Sequence, residues 1–205
     1  IYTQDEWSIN PNWSAHAGLR YESILTEGSN EEGEKRNKSG VLTPLLHAVW
    51  KPIPQSRDQV RMSLTRSYKT PTLLNLVART ALSREANSPT RPDRIGNPGL
   101  KPELATGVDI AVERYLAEGG VLSANVFRRN ISDLIRYVTS ERYDTVWAPG
   151  QRRFVSSPQN VGDAITQGIE LEAKFRLNQV WSDAPPVDVR SNLSFFDSKV
   201  LDVMG

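Results

Sequence analysis

In ITQGIELEAKFRL, residues 165–177, the odd positions Ile165, Ile169, Leu171, Ala173, Phe175 and Leu177 are apolar, with Gln167 the one exception. The even positions carry Thr166, Gly168, Glu170, Glu172, Lys174 and Arg176. Successive side chains of a strand point to opposite faces, so the stretch predicts a strand with one apolar and one charged face. Its length is unusual. Strands of globular sandwiches run to about 5–6 residues, whereas a tilted strand crossing a bilayer needs about 9–11.

The same alternation recurs on both sides of that stretch. WSAHAGLRYE (13–22) sets Trp13, Ala15, Ala17, Leu19 and Tyr21 against Ser14, His16, Gly18, Arg20 and Glu22. VRMSLTRSY (60–68), TGVDIAVERYL (106–116) and VDVRSNLSF (187–195) repeat the pattern. With IYTQDEWSI (1–9), LTPLLHAVW (42–50) and GVLSANVFRRNISDLI (120–135) there are eight candidate strands, and no stretch shows a helical stripe. The expectation is an all-β, antiparallel up-and-down meander. Its connectors alternate too: short at 10–12, 51–58, 117–120 and 178–186, long at 26–40, 70–102 and about 139–163. In a meander, alternate connectors share one end, so the long loops gather at one end of the sheet, as in transmembrane barrels. Lipid leaves backbone groups no outside partner, and only a closed sheet satisfies strands there.

Composition narrows the field. Twenty-five basic and 24 acidic residues give a net charge of +1, which argues against nucleic acid as a partner. With no cysteine, disulfides and thiolate metal sites are excluded. No apolar run is long enough for a transmembrane helix. The first residue is Ile1 and no signal peptide pattern precedes the first strand, so the chain reads as a piece of a longer protein.

Five segments resemble, in the same order, those of TonB-dependent outer-membrane receptor barrels. They are QDEWSINPNWSAHAGLRYE (4–22); LTPLLHAVWKP (42–52) with VRMSLTRSYKTPTLLNL (60–76); NPGLKPELATGVDIAVE (97–113); FRRNISDLI (127–135); and NVGDA (160–164) with QGIELEAKFRL (167–177). The resemblance implies part of a transmembrane β-barrel of about 22 strands, with residues 1–205 a partial barrel domain whose plug domain and final strands are absent. It also implies location in the bacterial outer membrane. The implied function is active import of a ferric siderophore or similar scarce nutrient with TonB-coupled energy. The implied partners are that ligand, the TonB complex through the plug region, and outer-membrane lipid and lipopolysaccharide. No enzymatic activity and no cofactor are implied. In NPGLKPE (97–103), Pro98 and Pro102 bias the chain to extended conformations. The segment is expected to return a long external loop to the membrane, with Leu100 packed against the wall and Glu103 beginning a strand.

Candidate ligand contacts follow from charge and aromaticity in the loops. Between Thr70 and Pro102, Arg79, Arg84, Arg91, Arg94 and Lys101 face only Glu85 and Asp93, a local positive excess suited to an anionic ligand. The same arginines would also suit lipopolysaccharide phosphates, or simply water. ERYDTVWAPGQRRFV (141–155) carries Tyr143, Trp147, Arg152, Arg153 and Phe154, which either stack on a flat, catecholate-like ligand or stiffen the loop. TEGSNEEGEKRNKSG (26–40) reads as a mobile solvated loop without calcium-ligand spacing. Glu6, Arg20, Glu22, Arg61, Glu113, Glu170, Glu172, Lys174 and Arg176 fit a charged lumen wall. His16 falls on the polar phase, the phase of His47 is open, and no metal motif contains either. Two rivals remain: a soluble β-sandwich or adhesion-type module, with apolar faces turned inward, and a barrel hydrolase, with His16 or His47 beside a serine and a carboxylate or amide.

Overall fold

The computed structural model describes residues 1–30, 33–77 and 80–201. Its elements run β1 (Tyr2–Asn10), β2 (Trp13–Asn30), β3 (Gly33–Trp50), β4 (Gln59–Lys69), α1 (Leu73–Val77), β5 (Asp93–Arg94), β6 (Glu103–Tyr115), β7 (Val121–Ser132), β8 (Ile135–Arg142), β9 (Arg153–Asn160), β10 (Ala164–Arg176) and β11 (Asp188–Val200). Eight strands form one sheet in the order β1-β2-β3-β4-β6-β7-β10-β11, every neighbour antiparallel. These are the eight strands that the alternation marks. None of the described helices is long and apolar enough to cross a membrane.

Register shows why the two faces differ. Residues directly opposite one another project to the same side of a sheet. One row crosses seven strands as Ala15, Ala48, Met62, Ile110, Val126, Ile169 and Phe195. The adjoining row, on the other side, is His16, His47, Ser63, Asp109, Phe127, Gly168 and Phe196. The apolar side is bare: Leu64, Ile110 and Leu171 remain 46%, 47% and 40% exposed. A sandwich would cover these side chains with a second sheet, and none of the described residues covers them with one. On the same side Trp13 and Trp50 stack at the short-turn end with centroids 6.0 Å apart. An outward aromatic girdle at an interface level is a barrel trait.

The charged side is closely fitted around its glycines. At Gly168 a Cβ would come within 2.4 Å of the Phe195 carbonyl oxygen and 3.0 Å of the Phe127 ring. Phe127 and Phe196 flank it from both neighbouring strands, their rings 5.8 Å apart.

Two loop expectations are corrected. Residues 26–40 are not a free loop, because β2 and β3 stay paired out to Asn30 and Gly33, with Glu27 and Arg36 ion-paired at 3.2 Å. Opposite charges on facing positions stabilise an exposed ribbon that composition alone reads as solvated coil. The span from about 139 to 163 contains most of the β8–β9 hairpin, and β5 joins β9 in parallel to complete a second, three-stranded sheet. The deeply buried apolar side chains sit largely at this long-loop end, among them Val41, Leu76, Ile95, Leu100, Val155 and Val161. The molecule's dry core lies under its loops rather than on the large sheet.

Candidate ligand-binding mouth and lumen wall

NPGLKPE ties the loops to the wall. Leu100 is buried, and β6 starts at Glu103, as the prolines predict. Asn97 donates its backbone N–H to the Asn75 carbonyl (2.7 Å) and its side-chain amide to the Pro158 carbonyl (3.0 Å), while its Oδ1 accepts from Gly99 N–H (2.9 Å). Asn37, on the β2–β3 ribbon, donates to the carbonyls of Pro98 (2.5 Å) and Leu100 (2.9 Å). Asn160 accepts from the Lys101 N–H (2.8 Å) and donates to the carbonyls of Lys101 (3.0 Å) and Asp133 (2.7 Å). Each amide satisfies backbone groups that proline-bearing coil cannot pair for itself.

A second junction centres on Asp93, which is fully buried. Arg153 forks onto it with Nε–Oδ2 2.8 Å and Nη2–Oδ1 2.7 Å, the Trp147 indole donates to Oδ2 (3.0 Å), and the Ser83 N–H donates to Oδ1 (2.8 Å). Burial pushes the carboxyl upward, but these donors outweigh it and hold Asp93 below its ordinary value. The pair joins the 70–102 segment to the β8–β9 hairpin.

The loop candidates are therefore not equivalent. Arg153 and Trp147 are engaged with Asp93. Arg152 pairs with Glu141 at 2.8 Å and lies over the Phe154 ring, 5.1 Å from its centroid. The Tyr143 hydroxyl donates to the same Glu141 (2.7 Å), which lowers the carboxyl's pKa and raises the phenol's. Arg91 forms an exposed ion pair with Glu85. Arg84 and Arg94 are exposed and have no ion-pair partner among the described residues. Arg79 lies outside the described residues.

The charged side of the large sheet forms an open trough of about 670 Å³, lined by residues that include His47, Arg61, Ser63, Asp109, Glu113 and Glu170. Arg129 pairs with Asp109 at 2.7 Å, and Ser63 donates to the same carboxylate (3.1 Å). Glu113 is ion-paired with Arg61 and accepts from Gln59 (2.8 Å) and Tyr115 (2.7 Å). The other charged residues expected on this face share it: Glu6 and Arg20 pair directly with His16 and Tyr2, and Glu170 accepts from Asn125 (3.2 Å). Neither histidine is hydrogen-bonded to a serine or a carboxylate among the described residues. Asp93 and the asparagine junctions escape sequence reading, since nothing in their neighbourhood says which distant backbone they will meet.

A meander of long strands, bare and apolar on one side and charged on the other, with its long loops folded together at one end, is an arc of a membrane β-barrel. The family model described as TonB dependent receptor-like, beta-barrel matches residues 1–203, and the chain belongs to that family. Over 95 residues, 43% of this chain, it is 30% identical to the vitamin B12 transporter BtuB of Vibrio vulnificus (strain YJ016). The fold superposes on the siderophore receptor PirA from Pseudomonas aeruginosa with a TM-score of 0.68 and 16% identity over 98% of the chain. It superposes on the FrpB iron transporter from Neisseria meningitidis with a TM-score of 0.64 and 18% identity, again over 98% of the chain. The chain spans 14%, 34% and 26% of those three proteins. Members of the family are receptors and transporters rather than enzymes, and the homologous receptors are outer-membrane barrels.

Proposed function

We propose that this chain is a partial barrel domain of an outer-membrane receptor that binds a ferric siderophore or similarly scarce nutrient and imports it with TonB-coupled energy. The observation that carries the reading is the two-sided sheet: an exposed apolar face for lipid, and a charged trough beneath cross-linked loops. The relatives named for siderophores, iron and vitamin B12 support the nutrient class. In this reading the trough wall holds a plug supplied from outside residues 1–205, and the plug passes the TonB signal. The exposed arginines of the 70–102 segment face either the ligand or lipopolysaccharide phosphates.

Among the candidates, Arg84, Arg91 and Arg94 remain available to an anionic ligand by exposure. Arg152, Arg153 and Trp147 serve mainly to set the shape of the mouth, through Glu141 and Asp93. The test is tryptophan-fluorescence titration of the receptor in detergent with a panel of ferric siderophores and cobalamins, alongside an Arg91→Ala, Arg94→Ala variant. The expected result is saturable binding to one ligand class, weakened at least about tenfold by the loss of two charge-assisted contacts. Binding indifferent to the variant would remove these arginines from the site, and silence across the panel would count against the nutrient class.

A further inference from the structure

The chain has only two histidines, and the fold sets them face to face. His16 and His47 are directly paired across β2 and β3, with ring centroids 6.0 Å apart and planes inclined by 21°. Both lie on the charged side of the sheet: His47 pairs with Ser63 across β3 and β4 and lines the trough. Glu6 on β1 pairs with His16 and extends the row. Neither imidazole has a hydrogen-bond partner among the described residues.

We propose that His16 and His47 together chelate a divalent transition-metal cation of the Cu²⁺, Ni²⁺ or Zn²⁺ type in the lumen wall. Imidazole nitrogen suits these ions and not Ca²⁺ or Mg²⁺, which take oxygen ligands. A ligating nitrogen sits about 2.0–2.1 Å from such a metal, so two rings at a tetrahedral angle have centroids roughly 5 Å apart. The rings now stack nearly parallel, so rotation about their side-chain torsions has to turn the in-plane nitrogen lone pairs toward a common point as well as close the remaining distance of about 1 Å, while the paired strands hold both Cα positions fixed. No third His, Cys, Asp or Glu completes a cluster with them among the described residues. The other coordination positions are therefore open to water or to a donor carried through the lumen. Glu6 supplies a carboxylate in the same row, the group that commonly orients a metal-bound imidazole through its second nitrogen. The site depends on the β2–β3 register and not on what the receptor imports.

The test uses the receptor in detergent, freed of any histidine tag and titrated with Cu²⁺. Electron paramagnetic resonance should show coupling to two nitrogens, reduced to one in His16→Gln and in His47→Gln, with affinity falling at least about tenfold in each. A spectrum and affinity that both variants leave unchanged would overturn the proposal. A second measurement needs no substitution. Saturating Zn²⁺ should protect His16 and His47 together from diethyl pyrocarbonate, read by mass spectrometry of their peptides, and equal modification with and without Zn²⁺ would also overturn it.

Discussion

Asp93 shows how one side chain organises the mouth. Its carboxylate is buried and receives Arg153, Trp147 and the Ser83 N–H. Removing one member of a buried, hydrogen-bonded ion pair strands the other, a loss of about 3 kcal/mol or more. Asp93→Asn is therefore expected to loosen the β5–β9–β8 sheet, with amide exchange along Arg153–Asn160 rising about a hundredfold, at 1.4 kcal/mol per tenfold. Unchanged exchange would show that the junction is dispensable. The pH dependence follows from the same contacts. Because the folded carboxyl lies below its ordinary value of 3.8, its contribution is present above that value and fades as pH falls through the lower folded one. Exchange protection of β9 should stay level from pH 7 to about 5 and decline only below about pH 4. Little of this was legible in the sequence. The arginines and aromatics of 141–155 stand out by composition, but their partner, Asp93, lies about sixty residues away with no local pattern to announce it. The same holds for Asn37, Asn97 and Asn160, whose side chains bond backbone groups far along the chain.

At the scale of elements, the environment decides which strands can be read. β10 shows its faces because lipid on one side and water on the other impose a period of two. Leu171→Arg, placed on the bare apolar side, should destabilise the bilayer-embedded receptor by about 2–4 kcal/mol if that position lies near the midplane. Glu172→Gln, on the trough side, should change stability by well under 1 kcal/mol. The check is the shift of the unfolding midpoint in denaturant with the receptor in lipid vesicles. Equal effects at the two positions would contradict the assignment of faces. Beyond the membrane no lipid–water boundary separates the two sides of a strand and the constraint lapses; β9 buries even the adjacent Val155 and Ser156 beneath the loops. That is why the outer halves of β2 and β3, with Glu27 paired to Arg36, and the strands β8 and β9, with Pro158 inside the latter, resemble coil in the sequence. Glycine is a further element-level constraint. Gly168→Ala forces its Cβ against the Phe195 carbonyl oxygen, and a cost of about 1–3 kcal/mol in the same assay is expected.

At the scale of the molecule, order along the chain proved more informative than any single motif. Short turns and long loops alternate, so the topology brings the long connectors to one end, where they share a buried core built around Leu100 and Val155. The large sheet needs no such core of its own, because lipid covers one side and a charged, hydrogen-bonded trough forms the other. The most direct measurement of that claim is a spin-label scan of residues 165–176 in the receptor reconstituted into bilayers, made convenient by the absence of cysteine from this chain. Collision with oxygen should peak at the odd positions from 165 to 175, and collision with a water-soluble nickel chelate at 166, 170, 172, 174 and 176, with Gly168 left unlabelled because no side chain fits there. A scan without that period of two, or with the odd positions shielded from both probes, would contradict the membrane barrel.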